Sequence, residues 1–505
     1  GKYNVYDYEM KQGGERATAV NVICPPVLAK EDERRVRTMA RKVFQTMSCP
    51  DFGRVDVRMT EDGTPYFIEL NPLPSLHPIA SLMTSAEKCG LSYRDVLRLI
   101  IRSAARRFKL PLHRPQRQIF DLGAAEMARV DARPTARELG IIVGRMQPGV
   151  NNAITDVKGV RVGHAQTIRD DVKIPGVVGS TSIRTGVTAV MPAEKDMYSK
   201  RLVAGGFVLN GVGEMAGLTQ VLEWGWLETP VMLTSSMSVG HVHGGVINYI
   251  QRRHPKMGLE TDVVLPVVGE TDDSFLNDVR VGVNSSDDAL RAIDSARDGP
   301  VLQGSVGAGT GMVSFDFAGG IGTASRHLTP DEGGFTLGAL VLSNFGRMVN
   351  LTVDGSVVGR DLDNTFPRET RRQNSYGSVI VVLATDAPLL SSQLNRIARR
   401  AALGLGRAGS HAASTSGEII IAFSTANRTP RASALPSKFL NLKFVSDGFI
   451  NGLYEAAIEA TEEAVLNAIF CSNGMTGRLG RGAPAIPQQD VLEILNRGKG
   501  IHAGH

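Results

Sequence analysis

Residues 377–388 read GSVIVVLATDAP. An unbroken apolar run starts just after Ser378 and ends in the polar turn signal of Asp386 and Pro388, the pattern of a short strand buried inside a layered fold. The preceding stretch, DLDNTFPRETRRQNSYG (361–377), is polar, with little periodicity, and stops at Gly377. Ser378 therefore stands at the boundary between a loop and a buried strand.

Working outward, the same texture recurs in VVLPVVGE (263–270) and TLGALVLSNFG (336–346), with helical segments at 389–403 and 453–470. Buried strands alternating with helices predict an α/β fold whose sheets are covered on both sides. This texture starts near Ala136. Residues 111–135, rich in Pro, Arg and Gln, read as a linker, and residues 481–505 read as a Gly/Pro/polar tail that frays. Residues 1–110 form a separate region. In KEDERRVRTMARKVFQTM, Val36, Met39, Ala40, Val43, Phe44 and Met47 share one helical face. TPYFIEL (64–70) reads as a buried strand, and SYRDVLRLIIRSAARRF as a second helix capped by Ser92.

The 505 residues carry 56 basic and 51 acidic side chains, 42% apolar residues and a net charge of +5. That is a globular composition with a mild basic excess, long enough for two or three domains. Arg106, Arg107, Lys109, Arg114 and Arg117 cluster without interleaved aromatics, which suits a solvated connection and argues against a nucleic-acid surface. Cys24, Cys49, Cys89 and Cys471 form no CxxC pair and no disulfide framework, so a reducing, cytoplasmic setting is expected. No run of 18 apolar residues occurs, so no membrane association is expected. The first residues, GKYNVYDYEMK, read as the middle of a domain and not as a signal peptide.

Ser378 invites a specific chemistry. Its hydroxyl can attack the preceding carbonyl to give an ester that water opens. The freed α-amine, with a pKa of ~8, then sits beside its own hydroxyl as a base. Gly377 suits a strained backbone before such a bond. On these residues alone, a plain loop-to-strand serine is the simpler reading.

Several motifs in order change that balance. NNAITDVKGVRVGH (151–164), RTGVTAVMP, GGFVLNGVGEMAGL, GAGTGM with GGIGTASR, NFG (344–346), the segment from Gly377 to GLGRAGS, STSGEIIIAFSTANR and VLNAIFCSNGMTGR span residues 136–480. Together they closely resemble the L-aminopeptidase/D-amidase-esterase and β-peptidyl aminopeptidase family. The resemblance implies an αββα sandwich of the N-terminal-nucleophile type, two chains cut from one precursor, and a homo-oligomer. It also implies an aminopeptidase needing no cofactor, acting on short peptides, amides or esters. Ser378 matches the nucleophile exposed by cleavage of Gly377–Ser378. Ser416 and Glu418 match its assisting pair, and Asn344 the oxyanion donor. Extended backbone would put Ser416 and Glu418 on one face. Glu214 and Glu270 are candidates for holding the substrate amine. In GETDDSFLND (269–278) the family's tyrosine is expected where Asp272 stands.

GAGTGM (307–312) lacks the lysine of a P-loop and reads as close backbone packing, and His241 and His243 at strand spacing lack a third metal ligand. In the first region, NVYDYEMKQGG, CPPVL, GRVDVRM and IELNPLP resemble the C-terminal part of an ATP-grasp ligase of the D-alanine–D-alanine ligase type. That resemblance makes Asp56, Glu69 and Asn71 the magnesium ligands, and places Arg54 and Lys11 against phosphate and substrate. Three oxygen donors suit a hard cation bridging ATP phosphates. Mg and ATP are expected only with an intact ligase half, and Pro74-Ser75 replaces the usual Pro-Gly. The alternatives are an acyltransferase of related self-cleaving architecture, usually with a threonine nucleophile, and a bifunctional ligase–peptidase whose ligase half is incomplete here.

Overall fold

The computed structural model describes residues 28–77, 80–88, 93–108, 133–174, 179–193, 196–282, 284–366, 371–372, 377–431 and 438–502. The chain divides into two compact units, 1–127 and 128–505.

In the first unit, α1 (Lys30–Thr46) opens with Glu31, Asp32 and Glu33, whose charge suits the positive end of the helix dipole. Val36, Met39, Ala40, Val43 and Phe44 form its half-buried face, while Met47 lies past its end and is exposed. β1 (Arg54–Met59) and β2 (Pro65–Asn71) pair antiparallel, with an irregularity between Asp56 and Val57. The expectation of a buried β2 is corrected, because Tyr66, Phe67 and Ile68 are exposed. A two-stranded sheet with α1 against it leaves one apolar face without a second layer among the described residues. α2 (Ser81–Lys88) and α3 (Tyr93–Arg107) follow. The proposed cap Ser92 lies outside the described residues.

The second unit contains two main sheets. Its strands include β3 (Arg161–Val172), β4 (Thr181–Met191), β5 (Lys200–Gly211), β6 (Met215–Ala216), β7 (Trp226–Leu227), β8 (Val231–Ser235), β9 (Val267–Thr271), β10 (Val313–Ser314), β11 (Phe317–Ala318), β12 (Gly320–His327), β13 (Thr336–Phe345), β14 (Gly377–Thr385) and β15 (Gly417–Pro430). Six of them run in the order β12-β13-β14-β15-β5-β7, and five in the order β3-β4-β8-β9-β6. β14 and β15 pair in parallel, as do β8 and β9; the other ladders are antiparallel.

The helices are α4 (Leu218–Trp224), α5 (Val239–Arg253), α6 (Ser286–Asp294), α7 (Gly359–Asp363), α8 (Ser391–Arg407), α9 (Asn451–Phe470) and α10 (Gln488–His502). α8 and α9 cover the six-stranded sheet, and α5 and α6 the five-stranded one. The result is an αββα sandwich with two cores.

The run in β14 explains both cores. Val379, Val381 and Leu383 face the core shared with α8 and α9, while Ile380, Val382 and Ala384 face the core between the sheets. Successive side chains point to opposite faces, so a strand buried on both sides must be apolar at every position.

The fraying tail is also corrected. Val491 and Leu495 on α10 are buried in the helix-side core. Gln488 donates to the carbonyls of Pro134 and Phe470 at 3.1 Å each. From the segment read as a linker, Arg133 donates to the carbonyls of Ser472 at 2.7 Å and Ile486 at 2.6 Å. Residues 133–135 thus belong to the sandwich. Deep in the helix layer, fully buried Arg326 pairs with Glu459 at 2.8 Å and Glu463 at 2.7 Å, while Arg137 joins Glu463 at 2.7 Å.

Candidate active site

The site forms where the ends of β13, β14, β15 and β5, the four inner strands of the six-stranded sheet, come together. Antiparallel register places Asn344 opposite Ser378 and Phe345 opposite Gly377. Parallel register places Glu418 beside Val379, and β5 brings Asn210 opposite Glu418. Residues far apart in sequence thus become neighbours because strand pairing aligns them.

The Ser378 hydroxyl is half-buried. Its Oγ accepts from the Gly417 N–H at 3.1 Å and donates to the Val212 carbonyl at 3.4 Å. Gly417 lies between Ser416 and Glu418, both fully buried, and the Ser416 hydroxyl donates to Glu418 Oε1. Glu418 Oε2 is buried without a hydrogen-bond partner. Burial pushes the Glu418 carboxyl above its ordinary pKa, opposed by the hydrogen bonds from Ser416 and Asn210. A desolvated carboxyl that accepts from a buried hydroxyl can pass a proton along that bond.

Gly377 adopts φ +81°, and a Cβ there would lie 1.8 Å from the Asn344 carbonyl oxygen. Only glycine fits both the left-handed backbone and that approach. Asn344 is buried. Its Nδ2 donates to the Asp272 carbonyl at 2.8 Å, and its Oδ1 accepts from the Val313 N–H at 2.9 Å. These two bonds set which end of the amide carries the N–H groups.

Asp272 turns its carboxylate into a local turn, accepting from the Ser274 N–H at 2.8 Å and hydroxyl at 3.0 Å. Its backbone carbonyl, and not its side chain, is what meets Asn344. Glu270 is buried at the end of β9, accepting from the Ser236 hydroxyl and from the Glu214 N–H at 2.8 Å. Burial raises its pKa above the ordinary carboxylate value. Glu214 is exposed, and its segment passes Ser378: the Val212 carbonyl accepts from the Ser378 hydroxyl, and a Cβ on Gly213 would lie 3.3 Å from Glu270 Oε1 and 3.7 Å from Gly417 Cα.

Two residues near the site were not singled out in the sequence. Asp273 is fully buried, with its pKa raised to about 7 chiefly by desolvation. Arg372, also buried, donates from Nη1 to Asn344 Oδ1 at 3.2 Å. Neither sits in a motif whose local pattern announces burial. Meanwhile His241 and His243 lie on helix α5 and not on a strand, so their spacing does not put them on one face. GAGTGM is a tight turn, where a Cβ on Gly311 would lie 2.1 Å from the Arg184 carbonyl oxygen.

In the first unit, Asp56 and Glu69 are cross-strand partners, as are Arg54 and Asn71. Arg54 bridges the carboxylates, 2.8 Å from Asp56 and 3.5 Å from Glu69, and Asn71 Oδ1 accepts from the Leu73 N–H at 3.0 Å. The donor set is hard oxygen, as Mg demands. However, Arg54 already pairs with both carboxylates, and no described residue supplies a nucleotide grip. Lys11 lies outside the described residues.

The model of peptidase family S58 matches residues 152–483, and that of the D-Ala–D-Ala ligase C-terminus matches residues 1–102. The β-peptidyl aminopeptidase BapA of Sphingosinicella microcystinivorans is 39% identical over 376 residues, covering 72% of this chain and 92% of the relative. The solved L-aminopeptidase D-Ala-esterase/amidase of Ochrobactrum anthropi is 36% identical with a TM-score of 0.67, covering 73% of this chain and 99% of that one. A solved protein of Pyrococcus horikoshii OT3 is 42% identical with a TM-score of 0.67, covering 72% and 99%. The D-alanine–D-alanine ligase of Paraburkholderia phytofirmans is 33% identical over 92 residues, and the chain spans only 28% of its length. Sandwich architecture and family match agree over the second unit: this chain belongs to peptidase family S58 and is an aminopeptidase, preceded by a segment similar to a ligase C-terminus.

Proposed function

We propose that Ser378 is the nucleophile of an aminopeptidase that releases N-terminal residues from short peptides, amides or esters, and that it is unmasked by cleavage of its own Gly377–Ser378 bond. The observation that carries this reading is the meeting of three strands at one hydroxyl. Register sets Asn344 opposite Ser378, and the peptide N–H between Ser416 and Glu418 donates to the Ser378 Oγ at 3.1 Å.

In the first event Ser378 Oγ bonds to the Gly377 carbonyl carbon, the C–N bond breaks, and the hydroxyl proton ends on the Ser378 nitrogen. Water then opens the ester, leaving the Gly377 carboxylate and a free α-amine beside the hydroxyl. In turnover, Glu270, with Glu214 beside it, holds the substrate's ammonium, since a desolvated cation needs a partner. Ser378 Oγ attacks the acyl carbonyl, its own amine and the Ser416–Glu418 pair hold the moving proton, and the Asn344 amide donates to the oxyanion. The β-peptidyl and D-Ala-esterase/amidase names of the relatives support substrates with a free amine near the scissile carbonyl. The ligase-like segment lies outside this reading. Asp56, Glu69 and Asn71 would serve Mg and ATP only alongside a nucleotide site.

Denaturing gels with intact mass test the proposal. Wild type should give two fragments split at Gly377–Ser378, and Ser378→Ala one chain without peptidase activity. Equal cleavage in both, or an active Ser378→Ala enzyme, would overturn it.

A further inference from the structure

Two arginines precede the scissile bond, and the fold uses them differently. Arg371 is held in a local cluster, pairing with the Asp363 carboxylate and donating to the Asp363 carbonyl at 3.1 Å. Arg372 turns inward. Its side chain is buried, and its guanidinium spans the Asn344 carbonyl oxygen from Nη1 at 3.3 Å and Nη2 at 3.4 Å. The same two nitrogens lie 2.7 Å from where a Gly377 Cβ would stand. The cation therefore stands close against the residue that contributes the scissile carbonyl. Burial raises the pKa of Asp316, and the charges of Arg372, Arg371 and Arg347 oppose that rise.

Arg372 Nη1 also donates to Asn344 Oδ1 at 3.2 Å, but two other bonds fix the orientation of that amide without it. The Val313 N–H on Oδ1 at 2.9 Å and the Asp272 carbonyl under Nδ2 at 2.8 Å already define it. What Arg372 adds is a fixed positive charge beside Gly377 and two contacts to the Asn344 carbonyl, at the end of β14 where the bond is to be cut.

We infer that Arg372 is a positioning residue for self-cleavage and has no part in later peptide turnover. The inference rests on the Ser378 reading. As Ser378 Oγ bonds to the Gly377 carbonyl carbon, negative charge gathers on the Gly377 oxygen. It collapses when the C–N bond breaks and the serine proton moves to the departing nitrogen. Water then gives the Gly377 carboxylate. A guanidinium held against Gly377 favours both the transient charge and the final carboxylate. In turnover the attacked carbonyl belongs to the substrate and the Gly377 amide no longer exists, so the same charge has nothing to act on.

The test follows cleavage of the full chain after cell-free synthesis, in wild type, Arg372→Ala, Arg372→Lys and Ser378→Ala. Loss of a hydrogen-bonded charge of this kind should slow cleavage by about ten- to hundred-fold in Arg372→Ala. Arg372→Lys keeps the charge without the two-pronged contact and should mature at an intermediate rate. Once fully cleaved, Arg372→Ala should match wild type in kcat and KM within about two-fold, because the carbonyl then attacked is the substrate's and not that of Gly377. Arg372→Lys supplies that comparison if the alanine variant never matures. Ser378→Ala with Arg372→Ala should stay folded at the temperature of the cleavage assay, with a thermal midpoint well above it. Wild-type cleavage by Arg372→Ala overturns the inference, as does a kcat loss in the matured enzyme that parallels the slowed cleavage, or a midpoint drop that accounts for it. Cleavage of Ser378→Ala would instead remove the Ser378 reading itself.

Discussion

Asp273 provides a stability test that does not depend on catalysis. Its carboxyl is fully buried just beyond β9, one residue after the carbonyl that holds Asn344. Desolvation raises its pKa from 3.8 to about 7, opposed by hydrogen bonds from Thr185, Asn277 and Ser235, and the neighbouring Asp272 pushes the same way as burial. Oδ1 accepts from Asn277 at 3.1 Å, whereas Oδ2 is buried without a hydrogen-bond partner. Below pH 3.8 the group is neutral in both folded and unfolded chains. Between 3.8 and about 7 the unfolded chain gives up the proton and the folded chain keeps it, so stability falls as pH rises. At ~1.4 kcal/mol per pH unit, the full penalty above neutrality is on the order of 4 kcal/mol, about half of it developing between about pH 5 and about pH 7.

Asp273→Asn keeps the shape and removes the titration. The assay is denaturant unfolding of the variant and its parent, both in a Ser378→Ala background so that one chain is compared with one chain. The variant should gain on its parent by roughly 2–3 kcal/mol between about pH 5 and about pH 7, whatever its offset at low pH. A stability difference that stays flat across that window would refute the argument, because a buried carboxyl with this environment must titrate there if it is as desolvated as the fold makes it.

Gly377→Ala should block maturation. Beyond the ~1–2 kcal/mol cost of a left-handed alanine, its Cβ would collide with backbone at Asn344, and intact mass should show one uncut chain. Glu418→Gln can still meet the Ser416 hydroxyl but cannot carry charge; kcat of matured enzyme should fall by about 10²–10⁴-fold with KM little changed. Arg326→Ala leaves Glu459 and Glu463 buried beside a hole, and unfolding should show a loss of about 3–5 kcal/mol; the same variant with wild-type stability would mean water reaches that cluster.

Much of this was readable without coordinates. The apolar run after Ser378 announced a strand buried on both faces, since neither face of β14 meets water. Ordered motifs announced the family, and α8 and α9 fall close to the helical segments expected at 389–403 and 453–470. These features are local: periodicity, turn residues and short motifs act over a few neighbours. Other readings failed for the same reason. The apolar residues of β2 carry no mark of whether a second layer covers them, and His241 and His243 have a spacing that fits a strand until the segment winds into α5.

The residues around Ser378 could be named in advance because family motifs contain them, but the order of residues set only which side chains were available along the chain. That Asn344 faces Ser378, that Gly417 reaches its hydroxyl, that Asp273 loses water and that Arg372 lies against Gly377 were decided by the tertiary structure. Register between strands distant in the chain is set by the packing of two whole sheets and their helices, and desolvation depends on everything that surrounds a group. Neither is a property of any stretch of sequence short enough to read alone.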